Sequence, residues 1–254
     1  MIDQSNPAGR LHRILSNAKR QPDSKKVREV WALAIGIKED DAEITKGVVE
    51  LYSLSQEIQS LIKMNDGLNH QLYLTSFKQL DKSFFPLNLG GNWNSVKQYL
   101  TDEALTRLQF CAEELSKFYS EETLSEEDLK DIVKKTDELF EAINKSDLPD
   151  ILKLSLLEEV ARVRNAINMY TIRGAKGLKD ALQGAIGSVV VNQDDLKKHS
   201  DKNADVIKRI GELIDKLDSF TSRALKLKKM LTKPIRCLLE KVTDPEVEIL
   251  SDEA

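Results

Sequence analysis

The chain has 254 residues, 41% of them hydrophobic and 31% charged, with 38 Lys/Arg against 42 Asp/Glu and a formal net charge of −4. Eleven glycines and six prolines fall below the usual combined share of about 12%, which argues against a turn-rich β fold and for long helices. The longest apolar run, Trp31–Ile37, is far short of the about 20 residues that a membrane-spanning helix needs.

Apolar residues recur at helical spacing almost throughout. Leu11, Ile14, Leu15 and Ala18 mark a first helix that stops before Pro22. Val27, Val30, Trp31 and Ala34 mark a second, with Gly36 placed to cap its end. Ile44, Val48, Leu51, Ile58 and Ile62 predict a third, ending near Asp66-Gly67. Leu68, Leu72, Leu80 and Phe84 predict a fourth; Pro86, Gly90 and Gly91 then break the pattern. A fifth helix carries Val96, Leu100, Leu108, Cys111, Leu115 and Phe118 on one stripe.

Residues 120–128 form an acidic, polar connector and divide the chain into helical regions 1–120 and 121–254. Ser125 with Asp128 reads as a helix start, and acidic residues there complement the positive end of the helix dipole. Leu129, Ile132, Val133, Thr136, Leu139, Phe140 and Ile143 carry the sixth helix. Leu156, Val160, Val163, Ile167 and Tyr170 stripe the seventh, and Val189-Val190-Val191 is the one strand-like run. Over 203–232, Val206, Ile210, Leu213, Leu217, Phe220, Ala224, Leu227 and Leu231 alternate spacings of four and three, a heptad-like seam. Asp205–Arg209 and Glu212–Lys216 place opposite charges one turn apart on it. The fold class expected is all-α, a multi-helix bundle with a coiled-coil-like C-terminal helix.

The small net charge hides blocks of +5 over 1–38, −10 over 39–197, +6 over 198–241 and −5 over 242–254. Lys226, Lys228, Lys229, Lys233 and Arg236 at the centre of the second basic block are candidate polyanion contacts, with the acidic tail 243–254 as a competing shield. That block could equally pair with the acidic middle of the same chain. A helix-turn-helix reading of the basic N-terminus leaves only Lys25, Lys26, Arg28 and Glu29 to read bases. Nucleic acid therefore stays a secondary expectation.

Catalytic constellations are missing. His12, His70 and His199 fall on separate elements, and only Asp195 stands one turn from a histidine, His199. There is no His-Glu-x-x-His, Cys-x-x-Cys, Gly-x-Ser-x-Gly or Walker-type loop. No metal, no cofactor and no enzyme activity are expected. Cys111 and Cys237 sit at apolar positions and read as buried free thiols. With no apolar leader at Met1–Gln4, they point to a reducing, cytosolic setting.

Three segments are candidate binding sites. A helix starting near Gly174 or Gly177, with Arg173, Lys176 and Lys179 around it, would offer free N–H groups and cations to an anion. The apolar loop Phe84–Trp93 either caps the bundle or presents Phe85 and Trp93 as anchors. Leu213 and Leu217 lie on the seam and serve either internal packing or a partner. Low glycine, high Lys/Glu and long amphipathic helices resemble many bacterial cytosolic proteins, without a motif that names a family. The function expected is a non-enzymatic helical interaction protein, acting on a protein partner or on itself.

Overall fold

The computed structural model describes residues 5–117, 119, 121 and 125–224. Among these the regular structure is helical, and the extended pairing is a single isolated bridge, Lys26 to Asn92. The chain forms two compact units: Met1–Thr123 with Asn168–Ala175, and Leu124–Ile167 with Lys176–Ala254. The return of 168–175 to the first unit was not legible in a division at one connector.

The first unit is built round α1 (Pro7–Lys19), which packs on α2 (Val27–Ile35), α3 (Asp41–Lys63) and α7 (Asp102–Ser116). Asn6 starts α1: its side chain accepts from the Gly9 N–H at 3.0 Å and donates to the Ala112 carbonyl at 2.9 Å. Proline follows at a position where its missing N–H costs nothing. Leu11, Ile14 and Leu15 are thereby set facing Trp31, Ile44, Leu51 and Ile58 in one buried cluster. Gly36 ends α2 at φ +83°, the left-handed conformation that glycine adopts without strain.

Two predicted helices are broken. The fourth becomes α4 (His70–Leu74), α5 (Phe77–Leu80) and a short 3₁₀ turn, Asp81–Ser83. Asp81 accepts from Ser55 at 2.8 Å and Gln56 at 3.1 Å, so α3 holds the turn from outside. The fifth splits into α6 (Asn94–Lys97) and α7, because the Thr101 hydroxyl caps the Ala104 N–H at 3.2 Å. A cap at the chain's own helix start outweighs the continuous apolar stripe.

The second unit contains α8 (Glu126–Lys145), α9 (Asp150–Asn168, up to Ile167), the part of α10 (Tyr170–Val191) after Ala175, α11 (Gln193–Lys198) and α12 (Ala204–Ala224). Ser125 caps α8 as its spacing predicted, accepting from the Asp128 N–H at 3.1 Å. The Val189-Val190-Val191 run ends α10 as helix, since its neighbours supply a helical ladder and no strand stands beside it. The apolar seam of α12 is buried through Val206, Ile210, Leu213, Leu217 and Phe220, and α12 packs along α8. Its continuation to Ala224–Leu231 lies outside the side chains described.

Charges lock the register of that pair. Asp205 and Arg209 meet at 2.9 Å along α12 as spacing predicted. Lys216, however, turns away from Glu212 to Asp131 at 2.9 Å and Asp128 at 3.1 Å on α8, while Glu212 takes Lys135 at 3.4 Å. Hydrogen bonding to Lys216 holds the Asp131 carboxyl below its ordinary range. Its contribution to the pair is present at neutral pH and lost as acid protonates it. Leu217 is fully buried at the centre of this seam. Leu217→Ala is expected to lower stability by about 2–5 kcal/mol, read as a lower urea midpoint with unchanged slope.

Candidate functional site

The expected anion site does have its helix start. Gly174 stands at φ +62°, ψ −156°, and interrupts α10 there. The Ala175 N–H that this exposes is already satisfied. Glu121 Oε2 accepts from it at 2.7 Å and pairs with Arg10 Nη1 at 3.0 Å. Tyr119 donates its hydroxyl to Glu121 Oε1 at 2.7 Å. Arg10 also donates Nε to the Ile172 carbonyl at 3.0 Å and Nη2 to the Arg173 carbonyl at 3.3 Å. The Arg10 and Glu121 side chains are 8% and 4% exposed.

The physical reason is local. A carboxylate at a helix N-terminus gains both from the free N–H and from the dipole, and the chain supplies one of its own. Burial, followed by the neighbouring Glu121 charge, pushes the Tyr119 hydroxyl well above its ordinary range, so it stays a donor. Arg173 is set beside Glu50, Nε to Oε2 at 3.6 Å. Lys176 and Lys179 belong to the second unit, and Gly177 between them is buried. Spacing announced the helix start; Arg10, Tyr119 and Glu121 come from distant positions that spacing cannot reach.

The apolar loop is mainly a cap. Its backbone closes the start of α2, which has no side-chain cap: Val27 N–H donates to Gly91 O at 3.0 Å and Arg28 N–H to Leu89 O at 3.2 Å. Trp93 is no surface anchor; it is fully buried, edge-on to Trp31 at 5.3 Å between ring centroids. Phe85 is partly exposed, with its ring 5.4 Å from that of Tyr52. Leu213 and Leu217 are likewise inside the second unit and withheld from a partner. Lys226, Lys228, Lys229, Lys233, Arg236, Cys237 and the tail 243–254 lie outside the described residues.

No group of three or more His, Cys, Asp or Glu that could hold a metal occurs among the described residues. Asp195, which stands one turn before His199, pairs with Lys198 at 3.1 Å. Cys111 is buried, and burial pushes its thiol up to about 12, so it is inert. A surface hollow of about 370 Å³ lies between α8 and α12. Its carboxylates are answered within the unit: Asp137 by Arg164 at 2.7 Å, Glu138 and Asp205 by Arg209, Glu141 by Lys145 at 3.1 Å.

His12 sits half-buried beside Ser16 and Gln109, and burial, then the Arg20 charge, lowers it from about 6.5. Protonation thus favours the unfolded chain, and stability is expected to fall as pH drops below about 6.5. His12→Gln should flatten that part of a midpoint-against-pH curve.

What spacing missed is an outward apolar face in the second unit. Ser155 meets Ser188 at 3.1 Å and Asn192 donates to Ser155 at 3.1 Å, which sets α9 and α10 antiparallel side by side. Ile151 stands one turn before Ser155 and one turn before Leu154, and Val191 follows Ser188 by one turn. They are 84%, 62% and 84% exposed, whereas Leu152, Leu156, Val160, Ala185 and Val189 on the other side are buried. The signal was present: Ile151 and Leu154 are apolar residues off the α9 stripe. A Cβ at Gly187 on α10 would meet nothing within 4 Å.

Two all-helical units, one with a self-filled anion hole and the other with a bare apolar face, define the class as a helical-bundle protein. No known protein family matches the chain, and neither does any curated protein or solved structure. No helix among the described residues is long and apolar enough to cross a membrane.

Proposed function

We propose that this protein is a non-enzymatic interaction protein that binds a helical protein segment on the outer face of α9 and α10. The observation that carries this reading is the exposure of Ile151, Leu154 and Val191 on one side of a helix pair whose other side forms the core. Exposed aliphatic side chains grouped on one face mark binding surfaces more often than isolated ones do. Ser155 and Ser188, which meet across the pair, and Gly187, where an added Cβ would meet nothing within 4 Å, keep the side chains beside them small. The seam of α12 contributes by holding α8 against this pair, not by meeting the partner.

A photo-crosslinking residue at Leu154 tests the reading in the intact chain. The expected result is a discrete adduct with another protein in cells, abolished by Val191→Asp, with no adduct from a control position at Lys208. Equal yields at Leu154 and Lys208 would overturn it. Polyanion binding through the 198–241 block is the second reading. It predicts affinity for nucleic acid that falls steeply between roughly 50 and 200 mM salt and rises when residues 244–254 are removed.

A further inference from the structure

We propose that residues 235–242 of the same chain dock on the Ile151–Leu154–Val191 face and occupy it until a partner displaces them. The inference rests on the reading of that face as a binding surface and adds its resident occupant. Three aliphatic side chains are a small fraction of the about 800 Å² per partner in a stable interface. A free molecule, whether a second copy or another protein, must bury further surface around these three side chains to stay bound. A segment tethered to the same unit needs far less, because the tether supplies an effective concentration of order mM.

Residues 235–242 carry a matching pattern. Ile235, Leu238, Leu239 and Val242 recur at helical spacing, so they would share one face. Residues 225–241 hold six Lys/Arg against Glu240. Near that face in sequence, Asp147, Asp150, Glu158, Asp194 and Asp195 are exposed, against exposed Lys197 and Lys198 and half-buried Lys153, which leaves a net negative balance. Apolar face would meet apolar face, with Arg236 and Lys241 of the segment answering those carboxylates and the acidic residues 244–253 falling beyond the segment.

The tether also reaches. α12 runs antiparallel to α8, with Lys216 at Asp128 and Arg209 at Glu138. Asn203, just before α12, accepts from the Asp147 N–H at 3.0 Å, which marks the end where α9 begins. Ala224 is therefore about 30 Å from that end, at about 1.5 Å per residue of α12. Extended chain covers about 3.3 Å per residue, so Leu238 has roughly 45 Å of reach.

A nitroxide on Glu240→Cys in a Cys237→Ser background of the full chain tests the dock. Cys111 takes no label near neutral pH, because it is buried. The expected result is that the methyl signals of Ile151, Leu154 and Val191 lose most of their intensity relative to the reduced label. The loss should persist on tenfold dilution and vanish when Leu238→Asp and Leu239→Asp are added. Unchanged methyl signals would overturn the proposal, as would a loss that disappears on mixing with excess unlabelled chain. Unchanged signals together with a Leu154 adduct to another protein would end the self-docking idea and leave the binding face standing.

Discussion

Arg10→Ala is expected to cost about 3–5 kcal/mol, the largest effect of any single charge removal in the described chain. The reason is asymmetry. Arg10 and Glu121 are nearly fully enclosed, and deleting one partner leaves the other buried and uncompensated. Arg10 also answers the Ile172 and Arg173 carbonyls, which would lose their donors. Glu121→Leu alone should cost a similar amount, since the Ala175 N–H and the Tyr119 hydroxyl lose their acceptor as well. The double replacement Arg10→Met, Glu121→Leu should be milder than either single one, because apolar groups of similar volume avoid the buried charge. A urea titration of the four chains measures the coupling. Two singles that add without interaction would mean that the pair is screened and carries little.

Gly174→Ala is the second large effect, and it acts on the same node by another route. The conformation at φ +62°, ψ −156° is one that residues with a Cβ scarcely adopt, at a cost of about 1–3 kcal/mol. Space is missing as well: the added Cβ would fall on Glu121 Oε2 and 2.7 Å from Arg10 Cζ. Strain and displacement of the ion pair combine, so the loss should exceed the about 1 kcal/mol of a routine helix glycine. Gly187→Ala is the control, because a Cβ there enters open space; it should be neutral or stabilising, as alanine favours the helix. Amide exchange at Ile172 and Ala175 would report the release of residues 168–175 directly. A Gly174→Ala chain with wild-type midpoint and protection would show that the backbone relaxes without cost.

Much of the fold is legible along the chain because it rests on short-range periodicity. The stripes of α1, α2, α3 and α12, the Gly36 cap and the Ser125 start are all set by residues within a few turns of one another. Helix class and inward faces follow from such spacing wherever a neighbouring helix is there to cover the stripe. The same arithmetic offers a restart near Gly174 or Gly177, and the backbone conformation puts it at Gly174.

Tertiary structure decided what fills each opening. Glu121 reaches the Ala175 N–H from a position remote in the chain, and Arg10 comes from α1. Trp93 is drawn inside by Trp31, so an apolar loop that could have been a surface tip becomes a plug. Lys216 chooses α8 over its own helix neighbour because Asp128 and Asp131 together offer two acceptors where Glu212 offered one. Leu213 and Leu217 went to the core, and Ile151, Leu154 and Val191 stayed outside. Hydrophobicity alone is non-directional and ranks these residues alike; which of them meets water depends on the helices that happen to stand beside them. Sequence determined the helical class and most inward faces, and long-range packing determined where helices break and which apolar side chains stay exposed.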